Sequence, residues 1–132
     1  MKFLTIIFCL ICTIMTANAQ KPANCENCFS ALEANEHIGE NIRVYGVVKH
    51  IKEDTTDQGE DVYFLNFDDV YPNNNFSIIA FKNSYANRIE SITQLLNEKV
   101  IVTGVVTKDL KFKKEGIELK PSIIVNSESQ IK

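Results

Sequence analysis

The feature that most constrains the fold is a glycine placed in the middle of a strand-like run of branched residues, a pattern that occurs twice. Residues 44–48 read VYGVV and residues 102–106 read VTGVV, so Gly46 and Gly104 occupy the same place in each run. A glycine inside a strand permits a sharp bend or a bulge. Two long strands bent in this way can each join both halves of a small barrel. The pattern therefore predicts an antiparallel sheet that curls and closes.

The remaining pattern predicts strands at 41–51, 61–67, 76–82, 99–108 and 116–125. Ser30 and Glu33 have capping-box spacing, which predicts a short N-terminal helix that ends before Gly39. Apolar residues spaced three and four apart predict a longer helix over 83–97: Tyr85, Ile89, Ile92, Leu95 and Leu96. The order is thus a helix followed by β-β-β-α-β-β. Since βαβ units do not repeat, a doubly wound sheet is disfavoured.

This order resembles the OB-fold, a mainly β, five-stranded Greek-key barrel with a helix between its third and fourth strands. The resemblance covers residues 31–124. Residues 64–69, FLNFDD, are similar to a strand of anticodon-binding OB domains, and residues 36–40, EHIGE, are similar to small exported bacterial OB-fold proteins. We therefore predict an OB-fold domain at 30–126 and a C-terminal tail at 127–132.

The resemblance implies a ligand-binding face on the second and third predicted strands. Strand alternation turns Leu65 and Phe67 inward and four other side chains outward, as a platform for stacking bases: Phe64, Asn66, Ile79 and Phe81. Lysines of the last predicted hairpin would form its rim: Lys111, Lys113 and Lys114. Alternatively, the N-terminal segment or a loop covers the two rings, and the lysines are a solvated hairpin edge that blocks aggregation.

The N-terminus has the layout of a secretory signal peptide. Lys2 precedes the apolar run 3–15, and residues 17–19, ANA, form a small-residue cleavage site that ends at Ala19. The run is shorter than the ~20 residues of a transmembrane helix, so a membrane anchor is the less favoured alternative. We predict a signal peptide at 1–19, a periplasmic or secreted mature protein, and no membrane span in the mature chain.

Two cysteines remain after that cleavage, Cys25 and Cys28, in a predicted tail at 20–29. In an oxidising compartment this CxxC pair favours a small disulfide. A thiol-redox role is an alternative, because a helix N-terminus lowers thiol pKa. Zinc is a third alternative, but only His37 and His50 could complete the ligand set.

Charge and motif content favour a binding module over an enzyme. The net charge is −3, and loss of Lys2 with the leader makes the mature chain more acidic. Strong, non-specific nucleic-acid binding usually needs a basic excess. No nucleophile elbow or phosphate loop is present, so we predict no catalytic residues, metal or cofactor. The predicted partners are single-stranded nucleic acid, a glycan or an envelope protein; the alternatives are a periplasmic protein-interaction or envelope-stress module and a thiol-redox protein.

Overall fold

The computed structural model describes residues 20–84, 89–108 and 120–132. The predicted signal peptide and the rim lysines Lys111, Lys113 and Lys114 lie outside the described residues. Within them, the strands are β1 (Cys28–Ser30), β2 (Asn41–Thr55), β3 (Asp61–Phe67), β4 (Phe76–Phe81), β5 (Lys99–Thr107) and β6 (Ser122–Val125). The helix α1 spans Ile89–Thr93, and short 3-10 helices lie at Glu33–His37, Lys82–Ser84 and Glu128–Gln130.

The described strands form one mixed, six-stranded sheet, and the protein is mainly β. The N-terminal half of β2 pairs with β5 and its C-terminal half with β3, both antiparallel. β3 pairs with β4, β4 lies parallel to β6, and β6 returns to β5. Following these pairings from β2 through β3, β4, β6 and β5 leads back to β2. The short β1 adds to β2 in parallel.

The predicted strands agree with the observed ones closely at β3 and less closely elsewhere. β3 has the predicted bounds, and β4 and β5 each end one residue early. β2 continues past its predicted end at 51, because its last residues pair with β3 as far as Thr55 opposite Asp61. Part of the predicted fifth strand, 116–119, lies outside the described residues. Of the predicted helix over 83–97, residues 85–88 lie outside the described residues and α1 covers Ile89–Thr93. Residues 94–97 form turns, so the predicted end at 97 is wrong.

The predicted N-terminal helix is a 3-10 helix preceded by β1. The backbone N–H of Glu33 donates to Ser30 Oγ over 3.2 Å, but the capping residue of the helix is Leu32, which makes no side-chain capping bond, so Ser30 does not cap the helix. The helix ends at His37, and Gly39 follows with φ +87°. Glycine adopts this left-handed conformation at little cost, so the predicted stop at Gly39 is confirmed.

The core cluster draws residues from five of the strands, and β3 contributes Tyr63, Leu65 and Phe67. Gly46 and Gly104 prove necessary for close packing. A Cβ at Gly46 would stand 2.4 Å from Cδ2 of Phe67, and one at Gly104 would stand 2.5 Å from a methyl group of buried Ile123. The irregularity in β2 falls three residues after Gly46, between Val48 and His50, where the register with β3 shifts. The register shift therefore lies beside Gly46 and does not coincide with it.

Both chain ends of the described part pack on β5. Lys99 Nζ donates to the carbonyl oxygen of Gln20. Lys132 exchanges two backbone hydrogen bonds with Ile101, of 2.8 and 2.9 Å. The segments predicted as tails at 20–29 and 127–132 therefore contact the sheet. No helix among the described residues is long and apolar enough to cross a bilayer.

Candidate functional site

The outer face of β3 and β4 carries a second apolar cluster, separate from the core. Strand register brings its members together, because Val62 pairs with Phe81 and Phe64 pairs with Ile79. Directly paired residues of an antiparallel ladder point to the same face. Ile124 of β6 pairs with Ile79 on the other side. We call these five residues the outer cluster.

The outer cluster contains three of the four residues predicted for the ligand platform. Phe64 and Phe81 are half-buried. They are therefore less exposed than an open platform requires, and less covered than if another segment hid both rings. Ile79 is fully buried and packs beneath them. A ligand on this face would therefore meet the two aromatic rings first, and contact with Ile79 stays a prediction.

Asn66, the fourth predicted platform residue, lies on the same face within a buried polar network. It is 2% exposed. Its Oδ1 accepts hydrogen bonds from Ser77 Oγ at 2.7 Å and from Asn74 Nδ2 at 3.3 Å. Its Nδ2 lies 3.0 Å from Nδ1 of His50. Because an amide nitrogen only donates, Nδ1 accepts and the proton of the neutral ring lies on Nε2. Asn66 thus connects His50, Asn74 and Ser77 in one hydrogen-bonded network on this face.

Lysines border the outer cluster among the described residues, each beside carboxylates. Lys52 pairs with Phe64 across β2 and β3, and its Nζ lies 3.8 Å from Asp54 Oδ2. Lys82 Nζ lies 3.4 Å from both Glu53 and Asp61. Hydrogen bonds to Glu53 and then Asp61 raise the pKa of Lys82. Such solvated pairs stabilise the fold little, and their two lysines stand beside three carboxylates, so they add no positive charge to the face.

Sequence reasoning missed that His50 and Lys52 belong to this face. Val44 and Val48 point into the core, and simple alternation would keep even-numbered residues of β2 inward. The register shift after Val48 inserts one extra residue, Lys49, so that Ile51 turns inward and His50 turns outward. Only the weak β-propensity of the lysine gives any hint of the bulge in the sequence.

The cysteine pair belongs to a different cluster, at the start of β1. Cys25 and Cys28 are bonded, with Cα atoms 5.5 Å apart, as disulfides require. Both are buried and pack against Tyr45 and Ile101. A thiol-redox function needs a sulfur that a partner thiolate can reach, so this burial disfavours the redox alternative. No group of three potential metal ligands occurs among the described residues.

Tyr45 provides a pH-dependent test of this packing. It is 8% exposed, and burial, followed by the charges of Glu33 and Asp68, raises its pKa above the ordinary value of about 10. A raised folded-state pKa means that its stabilising effect is complete below about pH 10 and is lost as the pH rises through the folded pKa.

We expect the free energy of unfolding to fall above about pH 10, and Tyr45→Phe to remove the Tyr45 part of this fall. Urea unfolding of both proteins from pH 8 to 11 measures the difference. An equally steep alkaline loss in Tyr45→Phe would contradict the assignment.

Comparison with known proteins gives a likeness of fold. No protein-family model matches the chain, and no curated protein matches it. Among solved structures, part of RecG, in its complex with a three-way DNA junction, matches 78% of this chain with a TM-score of 0.50 and 17% identity. This chain spans 13% of that RecG chain. An OBody bound to hen egg-white lysozyme matches 78% of this chain and 92% of its own, with a TM-score of 0.43 and 18% identity.

Proposed function

We propose that this protein is an exported, non-enzymatic OB-type binding module that holds single-stranded nucleic acid on the outer face of β3 and β4. The observation that carries the proposal is the pair of half-buried rings, Phe64 and Phe81, on the outer cluster. They are diagonal neighbours in the ladder, and such positions lie about 7–8 Å apart. Each ring can therefore stack on a different base.

The order of strand pairing supports the OB-type barrel in this proposal. The cycle β2-β3-β4-β6-β5 contains one parallel pair, β4 with β6, and α1 lies between β4 and β5 in the chain. An OB barrel has five strands in Greek-key order with its helix in this place. OB-folds bind oligonucleotides and oligosaccharides on the face that corresponds to β3 and β4 here. The likeness to part of RecG concerns the fold alone.

The charge of the chain shapes the expected binding. The net charge is −3, and Lys52 and Lys82 stand beside carboxylates. Stacking, worth about 1–3 kcal/mol per base, would then provide more of the affinity than phosphate contacts. Fluorescence anisotropy with a labelled oligothymidylate at about 50 and 200 mM salt tests this. We expect binding at both concentrations and a shallow salt dependence. Absence of binding at the lower concentration would remove nucleic acid as the ligand.

Phe64→Leu and Phe81→Leu are each expected to weaken oligothymidylate binding by at least about fivefold, because leucine keeps the packing and removes the stacking surface. Phe29→Leu is the matched control, since Phe29 is half-buried on β1 and packs on His37 instead. Thermal unfolding verifies that all three fold. Equal losses in the control and the platform variants would contradict a specific aromatic platform.

If the protein is instead a protein-interaction module, its partner would bind the same apolar face. In that case the wild-type protein retains a defined envelope protein in a pull-down, and no oligonucleotide is bound. Phe64→Leu and Phe81→Leu would then reduce protein capture and leave anisotropy at its baseline. The two functions are thereby separated with one set of variants.

A further inference from the structure

Gln20 follows directly after the predicted cleavage site at residues 17–19, ANA. The proposed export would therefore make Gln20 the mature N-terminal residue and convert its backbone nitrogen from a peptide amide into a free amine. Gln20 is exposed, and its side chain makes no hydrogen bond to any of the described residues. The side-chain amide can therefore approach the new amine without breaking a contact with that part of the protein.

An N-terminal glutamine carries a nucleophile and an electrophile within one residue. The α-nitrogen forms a bond to the side-chain carbonyl carbon Cδ, which closes a five-membered lactam ring. The bond between Cδ and Nε2 breaks, and Nε2 leaves as ammonia with the proton that the α-nitrogen gives up. No oxidant, reductant or other reactant is consumed. The product is a pyroglutamyl residue whose ring nitrogen is an uncharged amide, so the terminal charge is removed.

The contact with Lys99 disfavours a charged amine at this position. Lys99 Nζ donates to the carbonyl oxygen of Gln20. Backbone and hydrogen-bond geometry then place the α-nitrogen of Gln20 no more than about 6.5 Å from Nζ. This separation is shorter than the Debye length of about 8 Å at physiological ionic strength, so an α-ammonium would repel Lys99. The lactam nitrogen carries no charge and causes no such repulsion.

The same lysine also favours the cyclisation itself. Only the neutral form of an amine is a nucleophile, and a positive charge nearby favours that neutral form. Free α-amines have an ordinary pKa of about 7.7–8.0, so a neutral fraction exists at physiological pH. The charge of Lys99 increases this fraction at Gln20.

The first residues of the mature chain are held against β5. Cys25 and Cys28 are bonded, buried and packed against Ile101 of β5. Lys99 lies at the start of the same strand. The disulfide and the Lys99 contact therefore hold the N-terminal segment on one strand, and the charge of its first nitrogen acts there.

We infer that Gln20 is a modification site, which cyclises to a pyroglutamyl residue after leader cleavage and keeps an uncharged N-terminus in contact with Lys99. The inference rests on the export in the proposed function and does not depend on nucleic-acid binding. The modified chain has no free α-amine, so it resists aminopeptidases outside the cytoplasm.

Intact-mass measurement tests the modification on protein that is expressed as the full chain and purified from the exported fraction. We expect the mass of residues 20–132, with the disulfide closed, less one ammonia. The same mass with the ammonia retained would overturn the inference and leave export in place, as would a mature chain that starts at another residue. A retained leader would overturn export and the inference together.

Gln20→Asn is the matched control, because its amide side chain is one methylene shorter and cannot close the five-membered ring. Reductive methylation followed by mass spectrometry of the N-terminal peptide reports the free α-amine. We expect the α-amine of the asparagine variant to be labelled and the wild-type peptide to lose this label. Equal labelling of the two proteins would overturn the modification.

Carbon NMR of the cyclised protein tests the contact with the lysine. The backbone carbonyl resonance of residue 20 should move in Lys99→Gln, since its hydrogen-bond donor is exchanged for an uncharged amide. Lys108→Gln is the control, as an exposed lysine just beyond the other end of β5, and it should leave the resonance in place. No movement in Lys99→Gln, or an equal movement in the control, would overturn the contact.

Discussion

Phe67→Ala is expected to lower the free energy of unfolding by about 3–5 kcal/mol, the range for removal of a fully buried phenylalanine. Phe67 is 0% exposed, and its ring centroid lies 5.3 Å from that of Phe76. The ring also lies against Gly46, where an added Cβ would stand 2.4 Å from its Cδ2 atom. Its removal opens a cavity in the centre of the core. Urea unfolding measures the loss, and Phe67→Leu provides a smaller change if the alanine variant does not fold.

A double-mutant cycle tests why Gly46 is a glycine. Gly46→Ala alone should cost about 1–3 kcal/mol, because its Cβ would meet the Phe67 ring and the packed core cannot give way freely. In a Phe67→Leu background the same substitution should cost less, which appears as a coupling between the two positions. Leu32→Ala, at a residue 71% exposed, should change stability by no more than about 0.5 kcal/mol. Full additivity of the Gly46 and Phe67 changes would disprove the steric explanation.

Asn66→Ala is expected to cost about 2–4 kcal/mol, because the substitution leaves several buried polar groups without partners. Ser77 Oγ loses its acceptor, Asn74 Nδ2 loses one of three, and His50 Nδ1 loses its donor. Asn75→Ala is the matched control, since the same side chain is removed from an exposed position of the β3–β4 connection.

The asparagine substitutions are compared by urea unfolding at neutral pH, where the control should stay within about 0.5 kcal/mol of the wild type. If Asn66→Ala were as mild as Asn75→Ala, the network would contribute no stability, and Asn66 would be available for ligand contact as the strand alternation predicts. The experiment therefore also decides between the structural role and the predicted binding role of Asn66.

The prediction for the binding face shows which features of a sheet surface follow from side-chain alternation and which do not. Alternation in β3 and β4 predicted that Leu65 and Phe67 point inward and that Phe64 and Phe81 share the other face, and the strand register agrees. Alternation assigns a side chain to a face, but exposure depends on which other segments pack there. The burial of Ile79 and Asn66 was therefore not visible in the sequence.

By itself, the sequence determined the mainly β character, the bounds of β3, the inward set of its side chains and the stop at Gly39, because these follow from side-chain alternation and backbone sterics over a few residues. Only the tertiary structure decided the shift of register at Lys49, the contact that requires Gly46 to lack a side chain, and the network that buries Asn66. Each of these features depends on contacts between segments that are far apart in the chain, and the local sequence pattern does not specify which segments pair.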